Sequence, residues 1–505
     1  MMRHTVSALR WILGGAILGA VIMLMPVGAG AGEQTLVVGA AGFPESLNPG
    51  ISSFAALSLA YQTMDPLIHR DDAGHLIPGL ATRWQAIDSL TWRFHLRQGV
   101  KFHDGTEFTS QDVKHTLDYI LDPKTVYGTK ERVGLVDKTT TVDKYTVEIK
   151  TKKPFPTLAN GLSDIPIHPK LYLEKVGPTG FSRHPVGTGP FKFDKWTPGD
   201  RYELAANKDY WGGAPKVDKL LIRQIPENTT RVASLLAGET HIIEEVPVDL
   251  LPKIEGSGTA KVLSVESTVG LILTMDTRKP PFDNPKVRLA LDYAIDKPLI
   301  LQQMLKNQGT LLQGQLLTAN TFGFHPGLKP RPYDPAKARQ LLKEAGYERG
   351  FETSITTRSG KYLSDVEICN AVAGMLSQVG IKTAVNVVEG GVYLKMATAR
   401  EVGPIHMVGW YSLGDADFAT VWFTEGGKRT LWINAEFEKL FVEGRTTVES
   451  QKRQKIYHRM MEIMHEENPS VFLFGLPSIA AVSKRVSGFN APSDKVLRLS
   501  KVGLQ

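Results

Sequence analysis

Cysteine is nearly missing from this chain: among 505 residues only Cys369 carries a thiol, so no disulfide can form within it. Cys369 falls inside a predicted helix and reads as a small buried apolar residue. Long apolar runs are equally scarce. Only Trp11–Met25 comes near the roughly 20 residues a bilayer crossing needs, and it is Gly-rich and shorter. Basic runs with interleaved aromatics are absent, and a formal charge of +7 is modest for this length, which argues against nucleic acid as a partner. There is no G-x-S-x-G elbow, P-loop, H-E-x-x-H or G-x-G-x-x-G, and no internal repeat. The 13 histidines lack metal-ligand spacing, and His465-Glu466-Glu467 has no second histidine to complete a zinc site. Nothing positive therefore supports an enzyme, a cofactor or a metal centre.

What is present begins with an address. Arg3 and Arg10 precede the run Trp11–Met25, then Pro26 and the small residues Val27–Gly32. That is the layout of a secretory signal, with cleavage expected after Ala29-Gly30-Ala31. The only cysteine is far from that point, so the chain lacks the residue to which a lipid anchor would attach. A freely soluble protein of a Gram-negative periplasm is expected. Its length exceeds what one hydrophobic core serves, so two or three domains are expected.

Three stretches carry most of the pattern. Gly79–Ile120 reads GLATRWQAIDSLTWRFHLRQGVKFHDGTEFTSQDVKHTLDYI. Thr91–Leu96 alternates as a half-buried strand; Arg97–Gly99 and His103–Thr106 are turns. Thr109 or Ser110 caps a helix with Val113, Leu117 and Ile120 on one face. His103-Asp104-Gly105 lies between two elements and reads as structural. In His184–Trp211 a Gly187-Thr188-Gly189 crossing runs into Pro190, which cannot offer the amide a phosphate loop needs. Val269–Met275 is a continuous apolar run suited to a doubly covered strand. It leads to a helix capped by Asn284 with Pro285 at its first position. Asp334-Pro335 opens another helix. Ser364-Asp365-Val366-Glu367 has the spacing of a capping box.

These three stretches closely resemble the family 5 solute-binding proteins of ABC importers, the peptide/nickel group, and the resemblance extends from Gln34 to the last strands. It implies an α/β chain with the type II periplasmic-binding-protein fold: two lobes around a hinge cleft plus an extra inserted domain. The implied division is a signal peptide at 1–31 and a discontinuous lobe I from 33–67, 185–268 and 478–505. Residues 68–184 form inserted domain II, and 269–477 form lobe III. The implied function is capture of a short peptide or peptide-like polar solute and its delivery, unreacted, to the transmembrane subunits of an ABC permease. A monomer is implied. The alternative solutes are an opine, a sugar derivative, a glutathione-like compound or a nickel chelate; a secreted hydrolase or an envelope chaperone are the rivals from other classes.

Peptide-binding members of the family pair an arginine with the ligand carboxylate and an aspartate with its ammonium. Arg358, in TTRSGKY, stands close to that arginine. The loop Gly409–Asp417 matches the family's aspartate loop, yet Ser412 or Leu413 replaces the first aspartate. Asp415 and Asp417 are the remaining acids; each either reaches the cleft or caps the next helix, and capping is the better reading for Asp417. Phe43, Trp410, Tyr411 and Trp422 are the aromatics expected beside the cleft, where rings give contact area at little entropic cost. His406, within a strand, reads as a structural histidine.

Overall fold

The computed structural model describes residues 33–44, 46–47, 54–125, 127–427 and 429–505; the expected signal peptide and its cleavage point lie outside them. Among these residues two long antiparallel strands, Ala260–Met275 and Ser470–Ser483, form the spine of an 11-stranded sheet. At one end the spine pairs with Ile242–Glu244, and the sheet continues through Thr35–Ala40, Lys219–Gln224, Arg201–Ala206 and Phe191–Thr197. At the other end it pairs with Ile405–Tyr411, then Phe351–Arg358 and Ile381–Val388. The spine changes register between Glu266 and Gly270, where the chain passes from one half-sheet to the other. Such a bulge bends a strand without ending it. Two half-sheets joined by two strands make a hinge.

The run Val269–Met275 is buried throughout. Leu271, Leu273 and Met275 enter one core with the helices Pro285–Ala294 and Asp365–Ser377, while Ile272 enters another core with the helix Ser450–Glu467. Alternation across a strand covered on both faces accounts for the unbroken apolar run.

A separate four-stranded sheet, in the order Ala81–Ala86, Thr91–Leu96, Thr146–Thr151, Val136–Asp143, carries its own core. Phe94, Leu96, Val147 and Ile149 pack there against Val113, Leu117 and Ile120 of the helix Ser110–Leu121. Thr109 caps that helix in a reciprocal box with Asp112. His103 fastens this unit to the crossing that follows it: its Nε2 lies 2.9 Å from the Gly189 carbonyl, and its Nδ1 accepts from the Gly187 amide at 3.4 Å. The crossing needs glycine because a Cβ on Gly187 would stand 2.1 Å from the Thr63 carbonyl oxygen, and one on Gly189 2.7 Å from the Met64 nitrogen. Close backbone approach, not phosphate binding, explains the Gly-Thr-Gly.

One local expectation is corrected. Ser364 makes no capping bond; its hydroxyl donates to the Met304 carbonyl. Asp365 instead accepts from the amides of Gly360, Lys361, Tyr362 and Val366. A carboxylate offers more lone pairs to amides than a hydroxyl, so it takes the turn.

Candidate ligand-binding site

Phe351–Arg358 runs parallel to both Ile381–Val388 and Ile405–Tyr411, so the carboxyl ends of all three strands face the same way. Ligands of open α/β sheets bind at such ends. A cavity of about 470 Å3 lies there, closed over by Leu57 from the N-terminal segment and by Gly128, Glu131 and Arg132 from the separate unit. Its size falls in the usual range for small-molecule pockets, roughly 300–1,000 Å3. Three bonds tie the separate unit to the far wall. Arg445 Nη2 donates to the Glu131 carbonyl at 3.2 Å, Asn160 Nδ2 to the Leu413 carbonyl at 3.3 Å, and Thr157 Oγ1 to Asp417 Oδ2 at 3.4 Å. The arrangement is closed.

Of the residues expected beside the cleft, Arg358, Trp410, Tyr411 and Trp422 line this cavity. Arg358 Nη2 donates to the Tyr362 hydroxyl at 2.9 Å, and its guanidinium lies 4.1 Å from the centre of the Tyr393 ring. Its Nε is buried without a hydrogen-bond partner, and no carboxylate pairs with it among the described residues. Trp410 and Trp422 stack 4.9 Å apart at an interplanar angle of 9°. Burial, with Asp494 and Asp164 nearby, holds the Tyr411 phenol well above its usual range, so it stays protonated.

The other three are placed elsewhere. Asp415 does not reach the cavity: both of its oxygens accept from Arg453, at 2.6 and 2.7 Å, and Oδ1 caps the helix Ala416–Thr420 by accepting from the Asp417 amide. Asp417, expected as the cap, is fully buried 3.4 Å from Arg445 Nε; burial pushes its carboxyl up. Phe43 packs against the core of the first half-sheet, with Leu36 and Val38 in the same cluster. A buried arginine costs free energy unless acceptors answer it, and Asp415 supplies two of them to Arg453. At the position of the missing family aspartate, Leu413 lines the cavity and Ser412 turns away to Thr321 at 3.0 Å.

Sequence reading missed Arg132, Lys361, Arg429, Tyr362 and Tyr393, all of which line the cavity. Lys361 and Tyr362 adjoin Arg358, a signal that was available; Arg132 and Arg429 come from distant segments with no local mark. Arg132 is ion-paired with the buried Asp164. Lys361 is exposed at the rim of the cavity. Burial takes His406 down to about 4, so its imidazole is neutral at neutral pH. Burial raises the Glu131 carboxyl.

Two lobes on a shared pair of strands, an added unit, and an enclosed cavity at the strand ends define a type II periplasmic-binding-protein fold. The chain belongs to the bacterial extracellular solute-binding proteins, family 5, whose model matches residues 75–430. These are substrate-binding transport proteins, not a family of enzymes. The chain is 30% identical to the glutathione-binding protein GsiB of Pectobacterium atrosepticum over 98% of each chain. Among solved structures it is similar to the periplasmic binding protein DppA of Helicobacter pylori in complex with peptide STSA, with a TM-score of 0.85 and 26% identity over 94% of this chain and 98% of that one. It is also similar to the binding protein AgaA from A. tumefaciens R10 in complex with agropinic acid: TM-score 0.84, 27% identity, 93% and 99% covered. No helix among the described residues is long and apolar enough to cross a membrane.

Proposed function

We propose that the chain captures a small peptide-like solute bearing a carboxylate and hands it, intact, to an ABC permease. The observation that carries this reading is Arg358: a guanidinium on the cavity wall whose Nε has no partner and which no acid neutralises among the described residues. A desolvated cation of that kind costs free energy unless a ligand anion answers it. The Trp410–Trp422 stack gives the solute a flat apolar wall. Arg358, Trp410, Tyr411 and Trp422 are the residues proposed to touch it; Asp415, Asp417 and Phe43 are not.

The same reading makes the protein a periplasmic monomer freed by cleavage near Ala31, without catalysis. Lobe I is drawn from 33–67, 185–268 and 478–505, the inserted domain is 68–184, and lobe III is 269–477. Ligand contacts made only when the lobes meet favour the closed form, and the permease distinguishes closed from open. A second reading, an opine or another solute without a free ammonium, is favoured by Leu413 at the position of the family's ammonium-binding aspartate.

Thermal-shift screening of the mature protein against dipeptides, glutathione, opines, sugars and nickel chelates tests the proposal. A saturable stabiliser recovered unmodified, with a more compact scattering curve in its presence, is the expected result. A cleaved stabiliser, or tight binding with no change in shape, refutes it.

A further inference from the structure

We infer that Arg429 is a second anion-binding group of the cavity, and that the solute carries two acidic groups, one for Arg358 and one for Arg429. This rests on the binding-protein reading above and goes beyond it by fixing the ligand's charge.

The argument is a charge inventory of the wall. Arg429 lines the cavity, half-buried, its guanidinium 5.1 Å from the centre of the Trp422 ring. It makes no hydrogen bond and no ion pair among the described residues. Arg358 is in a similar position on the Tyr393 side, its side chain making one hydrogen bond among the described residues, to Tyr362. Lys361 also touches the wall, but it is exposed, so water answers its charge and it is left out of the count. Arg132 is excluded from the count because Asp164 answers it. Against Arg358 and Arg429 stands one wall carboxyl among the described residues, Glu131.

Like charges brought together away from water repel, and a folded protein avoids that unless an anion is to enter. Burial lowers the affinity of Arg429 for its proton; Tyr393 and Glu131 raise it, and Arg358, the smallest influence of the four, lowers it. Glu131 is a weak counterweight, because burial lifts its own carboxyl toward the neutral form. A zwitterionic peptide brings one carboxylate and one ammonium, and leaves the wall's excess of positive charge unchanged. A diacid that also carries one ammonium lowers it by one and brings a carboxylate for each arginine. The two guanidiniums lie against different rings, Arg358 4.1 Å from Tyr393 and Arg429 5.1 Å from Trp422, and are assigned to two groups of one ligand. Planar guanidiniums stacked on rings keep their outer N–H edges free for carboxylates.

The test uses calorimetric titration of the mature protein with reduced glutathione, its glycine monoethyl ester, mannopinic acid and the dipeptide alanyl-leucine. In the wild type the two diacids are expected to bind at least tenfold more tightly than the ester or the dipeptide. Arg429→Gln is expected to lower the glutathione affinity at least tenfold more than it lowers the ester's; Arg429→Lys restores part of the preference. A merely structural Arg429 would lower both affinities by the same factor, and that result overturns the inference. So does alanyl-leucine binding as tightly as the diacids, which leaves the binding-protein reading standing. Saturable binding by none of the four compounds overturns the diacid inference, whereas recovery of a cleaved compound overturns the binding-protein reading itself.

Discussion

Replacing Asp415 by Asn separates a structural acid from a ligand-binding one. Asp415 and Arg453 are 6% and 4% exposed, and their two parallel bonds measure 2.6 and 2.7 Å. Arg453 is held further by its Nε on the Gly444 carbonyl at 3.0 Å and by the Phe322 and Tyr457 rings, each 4.8 Å away. Asn preserves the size of the side chain and its bond to the Asp417 amide, removes the charge, and turns the Oδ2 acceptor into an NH2 donor facing Arg453 Nη1. Breaking a buried pair while keeping the other charge costs roughly 3–5 kcal/mol. Asp417 stands close enough to feel Arg453 and offsets part of that, which points to about 3 kcal/mol, the lower end of that range. At about 2–4 °C per kcal/mol for a unit of some 200 residues, Tm should fall by roughly 6–12 °C. Calorimetry on the purified variant measures this, and the double variant Asp415→Leu, Arg453→Met should recover most of the loss because no unpaired charge remains. The Kd of the folded single variant should stay within about threefold of wild type, since Asp415 does not line the cavity. A Tm within about 2 °C of wild type together with a tenfold or greater loss of affinity refutes the reasoning and returns Asp415 to the site.

Three further outcomes are expected. Arg358→Ala weakens a carboxylate ligand by two or more powers of ten, in line with the roughly 2–5 kcal/mol lost when one partner of a buried charge pair is truncated. Unchanged affinity by calorimetry removes Arg358 from the site. Gly189→Ala drives a Cβ to 2.5 Å from the Thr63 carbonyl carbon, against backbone that cannot swing aside, so denaturant titration should show a loss of at least about 1–3 kcal/mol; a neutral substitution contradicts the packing of the crossing. Among the described residues His168 has no partner at either ring nitrogen; it packs on Phe181 with ring centres 5.3 Å apart, and burial takes it down to about 3. Its folded pKa lies below its unfolded value, so the unfolded chain binds the extra proton. The stability it allows is complete above about pH 6.5 and is lost as pH falls toward 3. Between pH 7 and 4.5, His168→Leu should therefore lose about 2–3 kcal/mol less than wild type in thermal unfolding; equal losses refute the assignment.

Local chemistry was legible residue by residue. Thr109, Asn284 and Asp334 cap the helices expected of them, because a cap is a contact between neighbours in sequence. The same holds for the alternating strand Thr91–Leu96 and the unbroken run Val269–Met275, whose burial follows from side-chain period. Ser364 failed because two acceptors stood side by side and only geometry chooses between them; Asp365 took the amides.

The cavity was half legible. Arg358 and the Trp410–Tyr411 pair sit at the ends of strands that run the same way, so motif and topology agree about them. Asp415 read as a cleft acid because nothing near it in sequence announces Arg453, 38 residues on, which claims both its oxygens. Arg132 and Arg429 were invisible for the same reason: their neighbours along the chain say nothing of the wall they complete.

Sequence alone determined the class of the molecule, since caps, periods and family stretches are short-range and survive without coordinates. Tertiary structure alone decided which charges are answered from within and which are left facing the cavity. A charge's partner is chosen by proximity in space, and the same carboxylate cannot serve a buried arginine and a ligand at once.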